Sequence, residues 1–319
     1  MVYGDTRVVA ERIRVLEALP VVALVTNQRG DGVAGSIFEL QAAEIFAAFR
    51  QPDAAPRMVR NSVASEIFQL TSGAEAIRMF QRELPLLQPE FVRMAARSRE
   101  IVAISRSDFT GVGHRKVSEF LSGKLRAPLD IQRNLAQLGE ALEAEILQHG
   151  DKKIPDGGAV SAAFMADVAE RGRALAGGDN PGLQILAWSD VDLDEITLDT
   201  TISEVSDWAA FRTKLKHINR VLNLPWQELK RRVSESRIPS GIIDRALKQF
   251  RPRSAEWKGS DLIDTHLACL APYCDIIFVD KRTHEGLQIA RKKMKDLDSV
   301  LRRAEKAKNT RVVVEQLTR

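Results

Sequence analysis

The sequence predicts an α/β protein in which a mostly parallel central sheet is flanked by helices and interrupted by a large helical insertion. Three observations predict it. Short β-branched runs alternate with amphipathic helices toward both ends of the chain. Residues 129–250 carry helical periodicity with no alternating strand. The 319 residues are 44% apolar but only 6% aromatic. A chain of that length and composition buries a sizeable core of Ala, Leu, Val and Ile, which excludes a disordered tail or a disulfide-stapled miniprotein.

The elements follow in order. Residues 7–19 (RVVAERIRVLEAL) set Val8, Ile13, Leu16 and Leu19 near one helical face. Pro20–Val25 reads as a strand or a buried helical end, and Gly30–Gly35 as a turn into a short strand. Ser36 caps a helix over Ile37–Arg50. After the polar loop Gln51–Pro56, a helical pattern runs over Val63–Arg97 with interruptions at Pro85 and Pro89. Arg99–Ser105 (REIVAIS) is a β-rich run of strand length. Leu129–His149 is a strong helix stopped by Gly150. Further helices follow over Val160–Leu175, Val205–Leu222, Pro225–Ser234, Gly241–Phe250 and Asp261–Leu270. Ile276–Val279 (IIFV) is the clearest buried strand, and a basic helix (Glu285–Lys308) and a last strand (Arg311–Glu315) close the chain.

Strands separated by helices imply right-handed crossovers, with ligands gathering at the carboxyl ends of the strands. The sequence thus divides into an α/β core, residues 1–127 and 251–319, and a helical insertion or lobe, residues 128–250.

Charge narrows the partners. The 47 Lys and Arg exceed the 43 Asp and Glu by four. Their distribution is uneven: residues 151–211 hold 4 basic and 12 acidic residues, 212–258 hold 13 and 4, and 281–319 hold 12 and 5. Basic blocks suit phosphate backbones. Lys230, Arg231 and Arg232, with Lys281 and Arg282, are the candidate nucleic-acid contacts; a solvated helical face gives the same pattern. The four tryptophans, Trp188, Trp208, Trp226 and Trp257, are expected in the core.

Cys269 and Cys274 lack metal-ligand spacing and are expected as buried free thiols in a reducing compartment. The opening residues lack a signal-peptide pattern, and no apolar stretch approaches the ~20 residues that cross a bilayer. A cytoplasmic protein without a membrane partner is therefore expected. The G-x-G at Gly111–Gly113 lacks a third glycine, and there is neither a P-loop nor a G-x-S-x-G.

The acids carry the sharpest expectation. Asp5 closes the first strand, Glu39 lies in the first turn of its helix, Asp264 lies in the helix before Ile276–Val279, and Asp280 closes that strand. In this layout all four project into one end of a parallel sheet. Carboxylates so placed repel one another unless they hold a hard divalent cation, and oxygen ligands suit Mg²⁺ or Mn²⁺. Glu44 is the alternative to Glu39, and Asp275 to Asp280. Capping offers another reading: Asp5 before a helix, Glu39 at a helix dipole, Asp261 beside Ser260. His266, among Leu and Ala, reads as a satisfied semi-buried histidine.

The segment Gly259–Arg282 (GSDLIDTHLACLAPYCDIIFVDKR) resembles the C-terminal half of PIN-like nucleases, where a helix bearing an acid leads into a strand ending near another acid. Val2–Thr6 (VYGDT) is similar to their opening strand and Glu39 to their second acid. The resemblance covers about residues 1–50 and 255–285. It implies a three-layer α/β/α sandwich and a metal-dependent endonuclease that acts on phosphodiester bonds, RNA being favoured over DNA. It further implies Asp5, Glu39, Asp264 and Asp280 as the acidic cluster, with Asp261 as an additional metal ligand. The metals would activate a water and neutralise charge on the phosphorane. The alternative from a different class is a non-catalytic nucleic-acid-binding or assembly protein, whose acids are caps and whose basic helical surfaces bind. Under either reading a second copy of the chain in a homo-oligomer, or a regulatory protein, is a further candidate partner.

Overall fold

The computed structural model describes residues 6–27, 34–107, 110–111, 113–122, 128–173, 191–197, 199–252, 256–306 and 313. In chain order the elements are α1 (Thr6–Glu17), β1 (Val22–Val25), α2 (Ile37–Arg50), α3 (Pro56–Ala64), β2 (Phe68–Thr71), α4 (Gly73–Arg106), α5 (Val117–Ser122), α6 (Pro128–His149) and α7 (Gly157–Arg173). They continue with α8 (Ile202–Leu222), α9 (Trp226–Arg232), α10 (Pro239–Phe250), α11 (Ser260–Ala268), β3 (Ile276–Val279), α12 (Lys281–Lys293) and β4 (Arg303–Lys306).

The architecture is mainly helical, which corrects the predicted α/β/α sandwich. Among the described residues there is no central sheet. There are two two-stranded sheets, β1–β2 antiparallel and β3–β4 parallel. Three local readings explain the difference. Arg99–Ser105 lies inside α4, where Val102 and Ala103 are buried. A short apolar run reads alike in a strand and in a buried helix, and the helix already under way from Gly73 continues through it. It also continues through Pro85 and Pro89. Phe68–Thr71 departs from the helical pattern to pair with β1. Finally, the basic helix ends at Lys293, and β4 forms from the charged segment RAEK against β3. The predicted strands at Val2–Asp5 and Arg311–Glu315 lie outside the described residues, Val313 excepted, as does most of Gly30–Gly35.

The chain forms two compact units, residues 1–94, 221–253 and 263–319, and residues 95–220 and 254–262. In the first unit, α10 places Ile242, Ile243, Ala246 and Leu247 at helical spacing on one buried face. They pack against Ala268 and Cys269, Leu287 and Ala290 of α12, and Leu297, Val300 and Leu301. Each fully buried Ile or Leu there contributes roughly 1.5–3 kcal/mol relative to exposure. A second cluster joins Leu40, Val63 and Ile67 to Phe68 and Tyr273, whose rings meet edge-on at 5.3 Å.

Arg237 ties this unit together. Its guanidinium donates to the carbonyls of Ala48 (3.2 Å), Ala54 (3.2 Å), Gln51 and Arg232. A cation at the carboxyl end of α2 satisfies orphan carbonyls and opposes the helix dipole. Gly73, at the start of α4, is a glycine for steric reasons, since a Cβ there would strike the carbonyl of Leu16.

The second unit is built on the α6–α7 hairpin. Leu142 and Ile146 are buried against Ala103, Ile154, Val160 and Phe164, and Ser161 donates its hydroxyl to the carbonyl of Gly139 at 2.7 Å. A smaller cluster gathers Val117, Val191 and Val205, beside which Arg212 meets Glu195 at 2.6 Å. Trp257 is buried here, its ring 5.2 Å from that of His149. No helix among the described residues is long and apolar enough to cross a membrane.

Candidate functional site

Of the sequence-predicted acids, Glu39 and Asp280 sit at helix ends, Glu44 makes a core contact and Asp261 an ion pair. Glu39 is the N3 residue of α2 and only 3% exposed. Its Oε2 accepts from the backbone N–H (2.7 Å) and hydroxyl (2.6 Å) of Ser36, while the Ser36 hydroxyl accepts from the N–H of Phe38 (3.1 Å). The sequence S-I-F-E is therefore a capping box, which satisfies amides that a helix leaves orphaned.

Glu44, the alternative second acid, is fully buried. It accepts from the backbone N–H of Ser240 (3.0 Å), the Ser240 hydroxyl and the Tyr273 hydroxyl (2.8 Å). Ser240 begins α10, so the carboxylate also sits at the positive end of that helix. Burial first, and then the charge of Glu44, push the Tyr273 phenol well above its usual range. Tyr273 thus stays a neutral donor. The Cys269 thiol donates to the Ser240 carbonyl at 3.4 Å and completes the node.

Asp280 is exposed and is the N-cap of α12. Its Oδ1 accepts from the Thr283 N–H (2.7 Å) and its Oδ2 from the Thr283 hydroxyl (3.1 Å). Arg251 then donates to that hydroxyl at 3.0 Å. Asp261, in the second unit, is 5% exposed and pairs with Arg106 at 3.0 Å. Asp264 is half-buried on α11, and Asp5 lies outside the described residues. Among the described residues, no three His, Cys, Asp or Glu side chains converge as a metal site.

The predicted basic contacts divide as well. Lys230 is buried, whereas Arg231 is exposed. Arg232 lies 5.1 Å over the Phe49 ring and 3.3 Å from Glu228. Lys281 is exposed with Glu285 3.8 Å away, and Arg282 is half-buried. His266 is exposed rather than semi-buried, and of the two thiols only Cys269 is buried. Trp208 is 38% exposed, and Trp188 lies outside the described residues.

Charge repeats missed as a candidate site lie on the first unit. Lys292, Lys293 and Lys295 follow one another at the end of α12, and Arg302, Arg303 and Lys306 line β4 and its approach; all six are exposed. Arg302 pairs with Asp275 and Arg303 with Glu305, while Lys292, Lys295 and Lys306 make no ion pair among the described residues. The sequence signal was present in the 281–319 excess, but a predicted continuous helix spread these residues around its circumference.

Comparison of the chain with known protein families, with curated proteins and with solved structures found no match.

Proposed function

We propose that this protein binds nucleic acid through the exposed basic surface of its first unit. The observation that carries this reading is the division of labour among charges. Glu39, Glu44, Asp261 and Asp280 each answer a local donor or cation, while the cations at the end of α12 and along β4 exceed their local acids. Such a surplus attracts a polyanion through counterion release, whatever its base sequence. Fluorescence anisotropy of the full chain with labelled RNA and DNA, in EDTA and at a series of salt concentrations, tests it. Expected is a log–log fall of affinity with salt whose slope corresponds to several phosphate contacts. Absence of binding at low salt, or affinity indifferent to salt, would refute it.

One observation favours a second reading, a metal-dependent endonuclease acting on RNA. β3 and β4 are parallel and connected by α12, with Asp280 at the carboxyl end of β3, the end at which parallel units place ligands. Asp264 and Asp280, with Glu39 and Asp5, would be the holders of Mg²⁺ or Mn²⁺. The capping bonds of Glu39 and Asp280 already occupy carboxylate oxygens that ligation would need. Cleavage of RNA that requires added Mg²⁺ or Mn²⁺ and disappears in both Asp264→Asn and Asp280→Asn would establish this reading over the first. Cleavage undiminished in both variants, or none in the wild type, would end it.

A further inference from the structure

The helix α3 carries Arg57 and Arg60 three residues apart, hence on neighbouring positions of one face. Its packing neighbour in the first unit is the turn Ala271–Tyr273, beside which Asp275 holds Arg302 in an ion pair at the start of β4. Arg57 and Arg302 are close enough for their charges to act on Arg60, and the carboxylate paired with Arg302 is Asp275. Among the acids nearest in sequence, the charge of Asp53 acts on Arg237, and Glu66 is exposed just beyond the end of α3.

Arg60 is the unusual member. It is 9% exposed, and its Nε and Nη2 both donate to the Asn61 side-chain oxygen, at 3.1 and 2.8 Å. It has no carboxylate partner among the described residues. Burial, followed by the positive charges of Arg302 and Arg57, holds its pKa below the usual arginine value, and it remains a cation throughout the biological range. Several half-buried arginines of this unit are paired with acids, Arg245 with Asp296, Arg291 with Asp298 at 2.7 Å and Arg232 with Glu228, whereas Arg237, like Arg60, is held by neutral oxygens. Arg57 adds to the imbalance. It is exposed in the first turn of α3, a turn with no acid and no side-chain cap, so a cation stands where a helix favours an anion.

We infer that Arg57, Arg60 and Arg302 together form a site for one backbone phosphate of the bound nucleic acid, an inference that rests on the function proposed above. The arginine fork matches phosphate oxygens in bidentate fashion, and Asn61 fixes the orientation of the buried fork in advance. Asp275 positions Arg302 without cancelling the cluster.

The test uses the full chain and the variants Arg57→Gln, Arg60→Gln and Arg302→Gln, with labelled single-stranded RNA as one probe and inorganic pyrophosphate as the other. Each variant is expected to weaken RNA binding several-fold and to lower the salt slope by about one, as loss of a single phosphate contact does. Arg57→Gln keeps or raises the melting temperature, because it relieves repulsion on Arg60; a merely structural arginine would lower it. Pyrophosphate raises the melting temperature of the wild type and not that of Arg57→Gln. RNA binding by the wild type with unchanged affinity and slope in all three variants overturns this site while leaving the proposed function standing. Pyrophosphate stabilisation without any RNA or DNA binding overturns the proposed function, and with it the nucleic-acid source of the phosphate.

Discussion

The first unit carries 30 lysines and arginines against 22 aspartates and glutamates, whereas the second carries 17 against 21, so that one is formally +8 and the other −4. At the level of single acids the two units behave alike. Ser36 and Glu39 close a capping box at α2 in the first, and Thr201 and Glu204 close another at α8 in the second. Glu204 was never a candidate ligand, and its carboxylate takes the same bonds as that of Glu39. An acid in the first turn of a helix is therefore explained by the helix. What the units do not share is surplus charge, and surplus charge is what a polyanion senses at range.

The comparison breaks most visibly at buried acids. Glu44→Ala strands three donors in the first unit and should cost about 3 kcal/mol or more. Asp261→Ala in the second removes one partner of a less buried pair and should cost about 1–2 kcal/mol. Denaturant unfolding of each variant measures both, and equal losses would show that the Glu44 node is weaker than its bonds suggest. Next in size, Arg237→Ala exposes carbonyls at the end of α2 and should cost about 2 kcal/mol by the same measurement.

Smaller effects test the matched helix starts. Glu39→Ala should lose about 1 kcal/mol, whereas Asp280→Asn, which retains a capping side chain, should lose only a few tenths. A loss of several kcal/mol in Asp280→Asn would mean that the carboxylate does more than cap α12. The smallest effect is a pH dependence at Glu204. Bonds from the Thr201 amide and hydroxyl lower its pKa. A depressed carboxyl contributes stability above its unfolded value, near 4.3, and loses it as pH falls through the folded value. Unfolding followed by circular dichroism below pH 4.5 should therefore show a slight acid sensitivity that Glu204→Gln removes.

Much of the helical framework was legible in the sequence. The run over Ile37–Arg50 is α2 to the residue, and Leu129–His149 is α6 within one position, because long amphipathic periods with caps state their limits. Ile276–Val279 was legible as a strand because its run is continuous, β-branched and bounded by Asp, although in its two-stranded sheet it is half-buried rather than buried. Its partner was not: Arg303–Lys306 has no strand propensity of its own and is extended because β3 is beside it. The Glu44 node was illegible for a different reason, since Ser240 and Tyr273 lie 196 and 229 residues away along the chain. Glu39 and Asp280 were legible as special positions, though the local physics that made them stand out was helix capping.

Crosslinking of the full chain to single-stranded RNA at low salt in EDTA, with the attached peptides sequenced, tests the central claim most directly. The account predicts crosslinks in the first unit, concentrated in the peptides around Arg57–Arg60 and Lys292–Lys306. Crosslinks confined to residues 95–220 would contradict it.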